Sequence, residues 1–100
     1  MDSNEPITWR VKHPEKILHQ YWEGEDCVVV YDGTSGNTHL LSLFAGEVLG
    51  LLMSDSHTVD SLLLAFSNDL SGADESSATG IIENVLSELR NIDLVCNINR

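Results

Sequence analysis

The stretch CVVVYDGTSGNTHLL, residues 27–41, decides the fold of this chain. It opens with a β-branched and aromatic run, residues 27–31, which has the composition of a buried strand. Residues 32–37 are rich in residue types that form turns or tolerate positive φ, and a second short run of strand formers follows at 38–41. Two such runs around a short glycine-containing loop predict an antiparallel β-hairpin.

One further strand is predicted upstream of the hairpin. Ile7, Trp9 and Val11 alternate with polar residues, and this period of two is typical of a strand with one buried face. Residues 1–6 are polar and acidic, and we interpret them as a flexible N-terminal tail. Residues 7–100 show neither an internal repeat nor the composition of a linker, which predicts a single domain there.

Downstream of the hairpin, the apolar spacing changes to that of helices. Ser42 is a candidate N-cap for a first helix and Thr58 for a second, and a third is predicted from about Ser76 to Asn91. The apolar stripe of the third helix is wide enough for two adjacent seams and contains Ile81, Ile82, Val85, Leu86, Leu89 and Ile92. Three strands followed by three helices predict an α+β domain, in which helices cover a small three-stranded antiparallel sheet.

The charge balance narrows the classes of partner. The chain has 16 acidic and 5 basic side chains and a net charge of −11, which argues against nucleic acid because phosphates are repelled. A basic peptide or a basic patch on a protein remains compatible, as does acidity that only maintains solubility. No apolar run approaches the about 20 residues that cross a bilayer, so no membrane partner is expected. Cys27 and Cys96 are interpreted as free, buried thiols of a protein in the reducing cytoplasm.

The sequence offers no pattern that predicts catalysis. None of the four histidines has a His or Cys neighbour at zinc-ligand spacing, and the glycine patterns of nucleophile elbows, P-loops and dinucleotide-binding folds do not occur. The segment 32–37 joins two strands and opens no helix, so it is not expected to bind phosphate. We therefore expect no catalytic residue, no metal and no cofactor, and a binding domain rather than an enzyme.

The order and spacing of several short motifs resemble the PqqD family of small peptide chaperones. The motifs are Trp9-Arg10-Val11, the valine strand ending in Tyr31-Asp32-Gly33, the runs 38–42 and 58–62, and the last helix closing on 89–95. The resemblance covers roughly residues 7–96. Within the family, the chain is more similar to the branch encoded beside HPr-kinase-related proteins. That family commonly has glycine where this chain has Asp93. Since Asp tolerates the left-handed conformation better than most residues, the helix cap is expected to persist.

The resemblance implies a winged helix-turn-helix-like domain, a recognition element for ribosomally synthesised and modified peptides. Such a domain binds the leader of a precursor peptide and presents it to a modifying enzyme, here a kinase-like or nucleotidyltransferase-like neighbour. The leader would add as a strand beside residues 38–42 and pack on the last helix. The implied peptide-binding residues are Thr38, His39, Leu40, Leu41, Ala78, Ile82, Val85, Leu86 and Leu89.

The residues themselves are compatible with this mode of binding. If residues 38–41 form an edge strand, they offer unpaired backbone groups to an extended peptide. Each backbone hydrogen bond contributes only about 1 kcal/mol net, so selectivity would need side-chain pockets. We predict that the seam at Val85 and Leu89 faces the core, while Ile82 and Leu86 stay open as a groove wall. The alternative is that both seams are buried.

Two other functions are weighed against peptide binding. A structural or regulatory interaction subunit without a leader peptide would dock a partner, or a second copy, through the open seam, and we expect a monomer or weak dimer. A DNA-binding winged helix is disfavoured because the last helix carries only Arg90 as a base, against Glu83 and Glu88.

Overall fold

The computed structural model describes residues 7–21 and 26–98, and the expected tail of residues 1–6 lies outside the described residues. This part of the chain is an α+β fold with three α-helices and two small antiparallel sheets. The strands are β1 (Thr8–Val11), β2 (Ile17–Tyr21), β3 (Cys27–Asp32), β4 (Asn37–Ser42), β5 (His57–Thr58) and β6 (Val95–Ile98). The helices are α1 (Leu43–Ser54), α2 (Val59–Ala65) and α3 (Glu75–Asn91).

The predicted hairpin is confirmed, and with it a three-stranded antiparallel sheet. β3 pairs with β4 from Cys27↔Ser42 to Asp32↔Asn37. The third strand of this sheet, however, is β2 and not the predicted strand at residues 7–11, because β2 pairs along the other side of β3 to give the order β2–β3–β4. β1 is separated from β2 by a 3-10 turn at Pro14–Lys16 and joins β5 and β6 in a second sheet.

Each helix begins at a side chain that accepts a hydrogen bond from its first turn. Ser42 and Thr58 cap α1 and α2, as predicted, and Thr58 forms a capping box with Ser61, in which each side chain accepts the other residue's N–H at 3.0 to 3.1 Å. The third helix begins at Glu75 because Asp74 is its cap and accepts the Ser77 N–H at 2.8 Å.

The end of α3 is closed by Asp93, which has a φ of 68°. The Leu94 N–H donates to the Leu89 carbonyl at 3.0 Å, and the Asp93 N–H donates to the Arg90 carbonyl at 2.9 Å. This pair of bonds is the Schellman arrangement, normally built on glycine. Lys12 Nζ also donates to Asp93 Oδ1 at 2.7 Å, which ties this corner to β1. The expected persistence of the cap is confirmed.

One hydrophobic core fills the space between the two sheets and the three helices. Every helix and most strands contribute to it, and its most buried side chains are Val30, Val48, Leu49, Leu62, Ile82, Leu86, Leu89, Leu94 and Val95. In the described residues, no helix is long and apolar enough to cross a membrane.

Candidate functional site

β4 lies at one edge of the β2–β3–β4 sheet, where the implied peptide-binding strand was placed. Its side chains alternate between the two faces of the sheet. Leu41 is buried and His39 half-buried on the inner face, while Leu40 is 70% exposed on the outer face together with Thr38. Alternate residues of such an edge strand direct their N–H and C=O groups away from the sheet, where an added strand pairs with them.

The inner face of β4 carries one unsatisfied polar atom. His39 Nε2 is buried from solvent and has no hydrogen-bond partner among the described residues. Across the strands it lies opposite Val30. A buried nitrogen without a partner costs free energy, so this side chain is a position at which added hydrogen bonding would stabilise the domain.

The helical half of the implied site is closed. The residues concerned, Ala78, Ile82, Val85, Leu86 and Leu89, are all buried. The prediction that Ile82 and Leu86 form an open groove wall is wrong, since their side chains are only 0% and 1% exposed. The physical reason is that α3 packs against α1, α2 and β6, so that both seams are covered.

The outer face of the β2–β3–β4 sheet is uncharged and carries three exposed large hydrophobic side chains. The strand registers bring Leu18, Tyr31 and Thr38 into one row and Gln20, Val29 and Leu40 into the next. Leu18 is as exposed as Leu40, at 69%, and Tyr31 is exposed between them. In a chain with 21% charged residues, these rows contain none. This face was not predicted from the sequence, because no strand was predicted at residues 17–21, so that Leu18 had no register.

β2 is the opposite edge of the same sheet, and a groove runs between it and α1. The groove has a volume of about 450 Å³ and is lined by His19, Tyr21, Val28, Leu43, Gly46, Glu47 and Gly50. We call it the β2–α1 groove. Gly46 allows the helix to lie close to the sheet, because a Cβ there would be 2.6 Å from Val28 Cγ2. At Gly50 the nearest atom to such a Cβ is His19 Nε2, at 4.0 Å, so the groove is open there.

Another cavity, of about 490 Å³, lies between α3 and the second sheet. It brings Trp9 together with side chains of both charges, Asp60, Glu83 and Arg90. Arg90 forms no ion pair with any other residue of the described ranges. The nearby edge strand, β5, has only two residues, which is too short to pair with a peptide.

The hairpin loop is a turn held by Asp32. The buried Asp32 carboxylate accepts the Thr34 N–H at 2.9 Å and the Ser35 hydroxyl at 3.1 Å. Burial by itself raises the pKa of Asp32, but these hydrogen bonds outweigh it and hold the pKa below its usual value. Both oxygens of the carboxylate thus accept hydrogen bonds within the turn.

Within residues 7–21 and 26–98, no cluster of three or more His, Cys, Asp or Glu side chains is placed to hold a metal ion. Cys27 and Cys96 are free thiols, as predicted, but both are half-buried rather than buried.

Comparison with protein-family models, with curated proteins and with solved structures gives no match to this chain. The features of the described residues that bear on function are the uncharged outer face of the β2–β3–β4 sheet and its two edge strands.

Proposed function

We propose that this domain is a non-catalytic peptide-binding module of the cytoplasm. It captures the leader segment of a ribosomally synthesised precursor peptide along β4 and presents it to a modifying enzyme, of the kinase-like or nucleotidyltransferase-like kind that the family resemblance implies. The single observation that carries the proposal is the unprotected edge of β4, Asn37–Ser42.

Sheet edges in proteins are normally protected against pairing with other chains. Protection takes the form of lysine or other charged side chains, proline, a bulge or a very short strand. β4 has six residues, none of them proline and none acidic, lysine or arginine. Such a strand is a template to which an extended peptide adds by backbone hydrogen bonding.

Leu40 supplies the apolar contact that backbone pairing lacks. Each backbone hydrogen bond contributes about 1 kcal/mol net, and covering an exposed leucine contributes on the order of 1 to 2 kcal/mol. These terms are offset by the cost of association and of ordering the peptide, so weak to moderate affinity is expected. The net charge of −11 favours a leader that is basic overall.

The contact between the leader and α3 that the family resemblance implies is not part of this proposal. Because Ile82 and Leu86 are core residues, the leader is proposed to contact β4 and the adjoining outer face, in place of a seam of α3. The winged helix-turn-helix arrangement stays a prediction.

The test uses a synthetic peptide that covers the leader of a short precursor reading frame, to be sought beside this gene. Added to the isotope-labelled domain, it is expected to shift the amide resonances of residues 37–42 and of β3. Leu40→Lys is expected to weaken binding about tenfold, which corresponds to about 1.4 kcal/mol. Leu18→Lys is the matched control, since Leu18 has the same exposure on the same face but lies on the other edge.

Two results would contradict the proposal. One is a titration in which residues 37–42 show no shift. The other is an equal loss of affinity in Leu40→Lys and Leu18→Lys, which would place the contact on the face as a whole and not at the β4 edge.

The hydrophobic side chains on the outer face favour a second candidate function, an interaction subunit without a leader peptide. The large hydrophobic residues exposed there are Leu18, Tyr31 and Leu40. The face covers on the order of a few hundred Å², judged from strand spacing and length, which is less than the about 800 Å² per partner of a stable interface. A monomer or weak dimer is therefore expected. Sedimentation at several concentrations tests this, and a tight dimer lost in Tyr31→Lys would favour the second candidate.

A further inference from the structure

We propose that the β2–α1 groove is a second binding site, which takes an extended segment of a partner protein bearing an arginine or lysine side chain. This site goes beyond the proposed function, since it lies on the opposite edge of the sheet from β4. It would serve the presentation of a peptide held at β4, but it is argued from different residues and does not need that peptide.

The first step is that β2 is as unprotected as β4. The strand Ile17–Tyr21 has five residues and contains no proline, acidic residue, lysine or arginine. Within residues 7–21 and 26–98 only β3 pairs with it, so no described residue occupies its outer side. Strand addition is therefore available at this edge as it is at β4.

The second step is that a strand added to β2 would place side chains in the groove. His19 and Tyr21 are two residues apart on β2, so both side chains lie on its inner face, and both line the groove. An added strand has the same alternation, so two successive inward side chains, about 7 Å apart, would lie beside His19 and Tyr21. Backbone pairing and side-chain recognition are then supplied by one continuous surface.

The third step is the chemistry of the groove, which fits a long cationic side chain. Glu47 is exposed on α1, and it forms no ion pair with another described residue. Val28 and Leu43 offer apolar surface for an aliphatic stem, and the exposed ring of Tyr21 can lie against a cation. Gly50 leaves room at the helix wall, one turn beyond Gly46.

Charge complementarity selects this occupant over a second copy of the chain. Among the described residues that line the groove there is one carboxylate and no lysine or arginine, and the chain as a whole carries −11. Two copies would repel one another, whereas a basic segment is attracted and gains a counterion for Glu47.

The experiment uses two synthetic seven-residue peptides, Thr-Val-Arg-Val-Arg-Val-Thr and its counterpart with both arginines replaced by glutamate. Each is titrated into the labelled full chain. The arginine peptide is expected to shift the amides of residues 17–21 and 43–50, with an affinity at least tenfold higher than that of the glutamate peptide.

Variants then separate the groove from general attraction to an acidic protein. Glu47→Gln is expected to weaken the arginine peptide about three- to fivefold. Glu88→Gln, the same charge change on the exposed face of α3, is expected to have no effect. Gly50→Leu is expected to abolish the shifts in residues 17–21, because a side chain would then fill the groove.

Equal effects of Glu47→Gln and Glu88→Gln, absence of binding, or shifts confined to residues 37–42 would each overturn this proposal. Leu40→Lys distinguishes the two edges, since it should weaken the leader peptide and leave the arginine peptide unaffected. If Gly50→Leu fails to fold, Glu47→Gln still decides, because it replaces one exposed polar side chain with another.

Discussion

Gly46 of α1 lies directly against Val28 of β3. A Cβ on Gly46 would be 2.6 Å from Val28 Cγ2 and 3.0 Å from Val28 Cβ, so only glycine permits this approach of helix to sheet. Gly50, one turn later, has no comparable neighbour, since the nearest atom to a Cβ at this position would be His19 Nε2, at 4.0 Å. The helix is thus close to the sheet at one end of the β2–α1 groove and stands clear of it at the other.

The two glycines should respond in opposite ways to replacement by alanine. Gly46→Ala is expected to lower the free energy of unfolding by about 1 to 3 kcal/mol, because a buried β-branched side chain on a paired strand has to move. Gly50→Ala should raise it by about 0.5 to 1 kcal/mol, since alanine favours the helix. Urea denaturation measures both, and equal effects would contradict the close approach.

The burial of both seams of α3 predicts a large difference between two adjacent isoleucines. Ile82→Ala is expected to lower the free energy of unfolding by about 2 to 5 kcal/mol, because it leaves a cavity in the core. Ile81, which is 39% exposed, is the matched control, and Ile81→Ala should cost less than about 1 kcal/mol. A small effect of Ile82→Ala would contradict its burial and would favour the sequence-based prediction that Ile82 lines an open groove.

The left-handed conformation of Asp93 predicts a ranking of substitutions at the end of α3. Asp93→Gly should raise thermal stability because glycine adopts a φ of 68° without strain, whereas Asp93→Val should lower it. The two variants are expected to differ by at least about 1 kcal/mol. Both lose the hydrogen bond from Lys12, so their difference isolates the backbone, and Asp93→Asn reports the loss of charge alone. Equal melting temperatures for the glycine and valine variants would argue against the Schellman cap.

Asp32 predicts a contribution to stability that depends on pH. Its pKa is lower in the folded protein than the ordinary 3.8, because the hydrogen bonds from Thr34 and Ser35 outweigh burial. The stability that it contributes is therefore fully present above about pH 4 and is lost as the pH falls through the folded-state pKa. Asp32→Asn should be less stable than the parent at pH 6, with the difference shrinking towards pH 2. Ser35→Ala removes one of the hydrogen bonds and should show a smaller effect in the same direction. A difference that stays constant with pH would refute the assignment.

Local interactions explain which features were predictable from sequence. The hairpin turn, the caps at Ser42 and Thr58 and the left-handed Asp93 each depend on residues a few positions apart, so the sequence pattern contains the whole interaction. The extent of α3 follows in the same way from its apolar period. The edge position of β4 did not follow from sequence, because a strand distant in the chain could have paired along its second side.

The sequence by itself thus determined the α+β class, the hairpin, the three helices and the uncharged character of β4. Only the tertiary structure decided that β1 leaves the hairpin sheet for β5 and β6, that Ile82 and Leu86 are covered, and that β2 borders a groove. The physical reason is that pairing and burial depend on residues distant in sequence. An apolar period shows that a face is to be covered, but which element covers it is settled only when all elements compete for the same core.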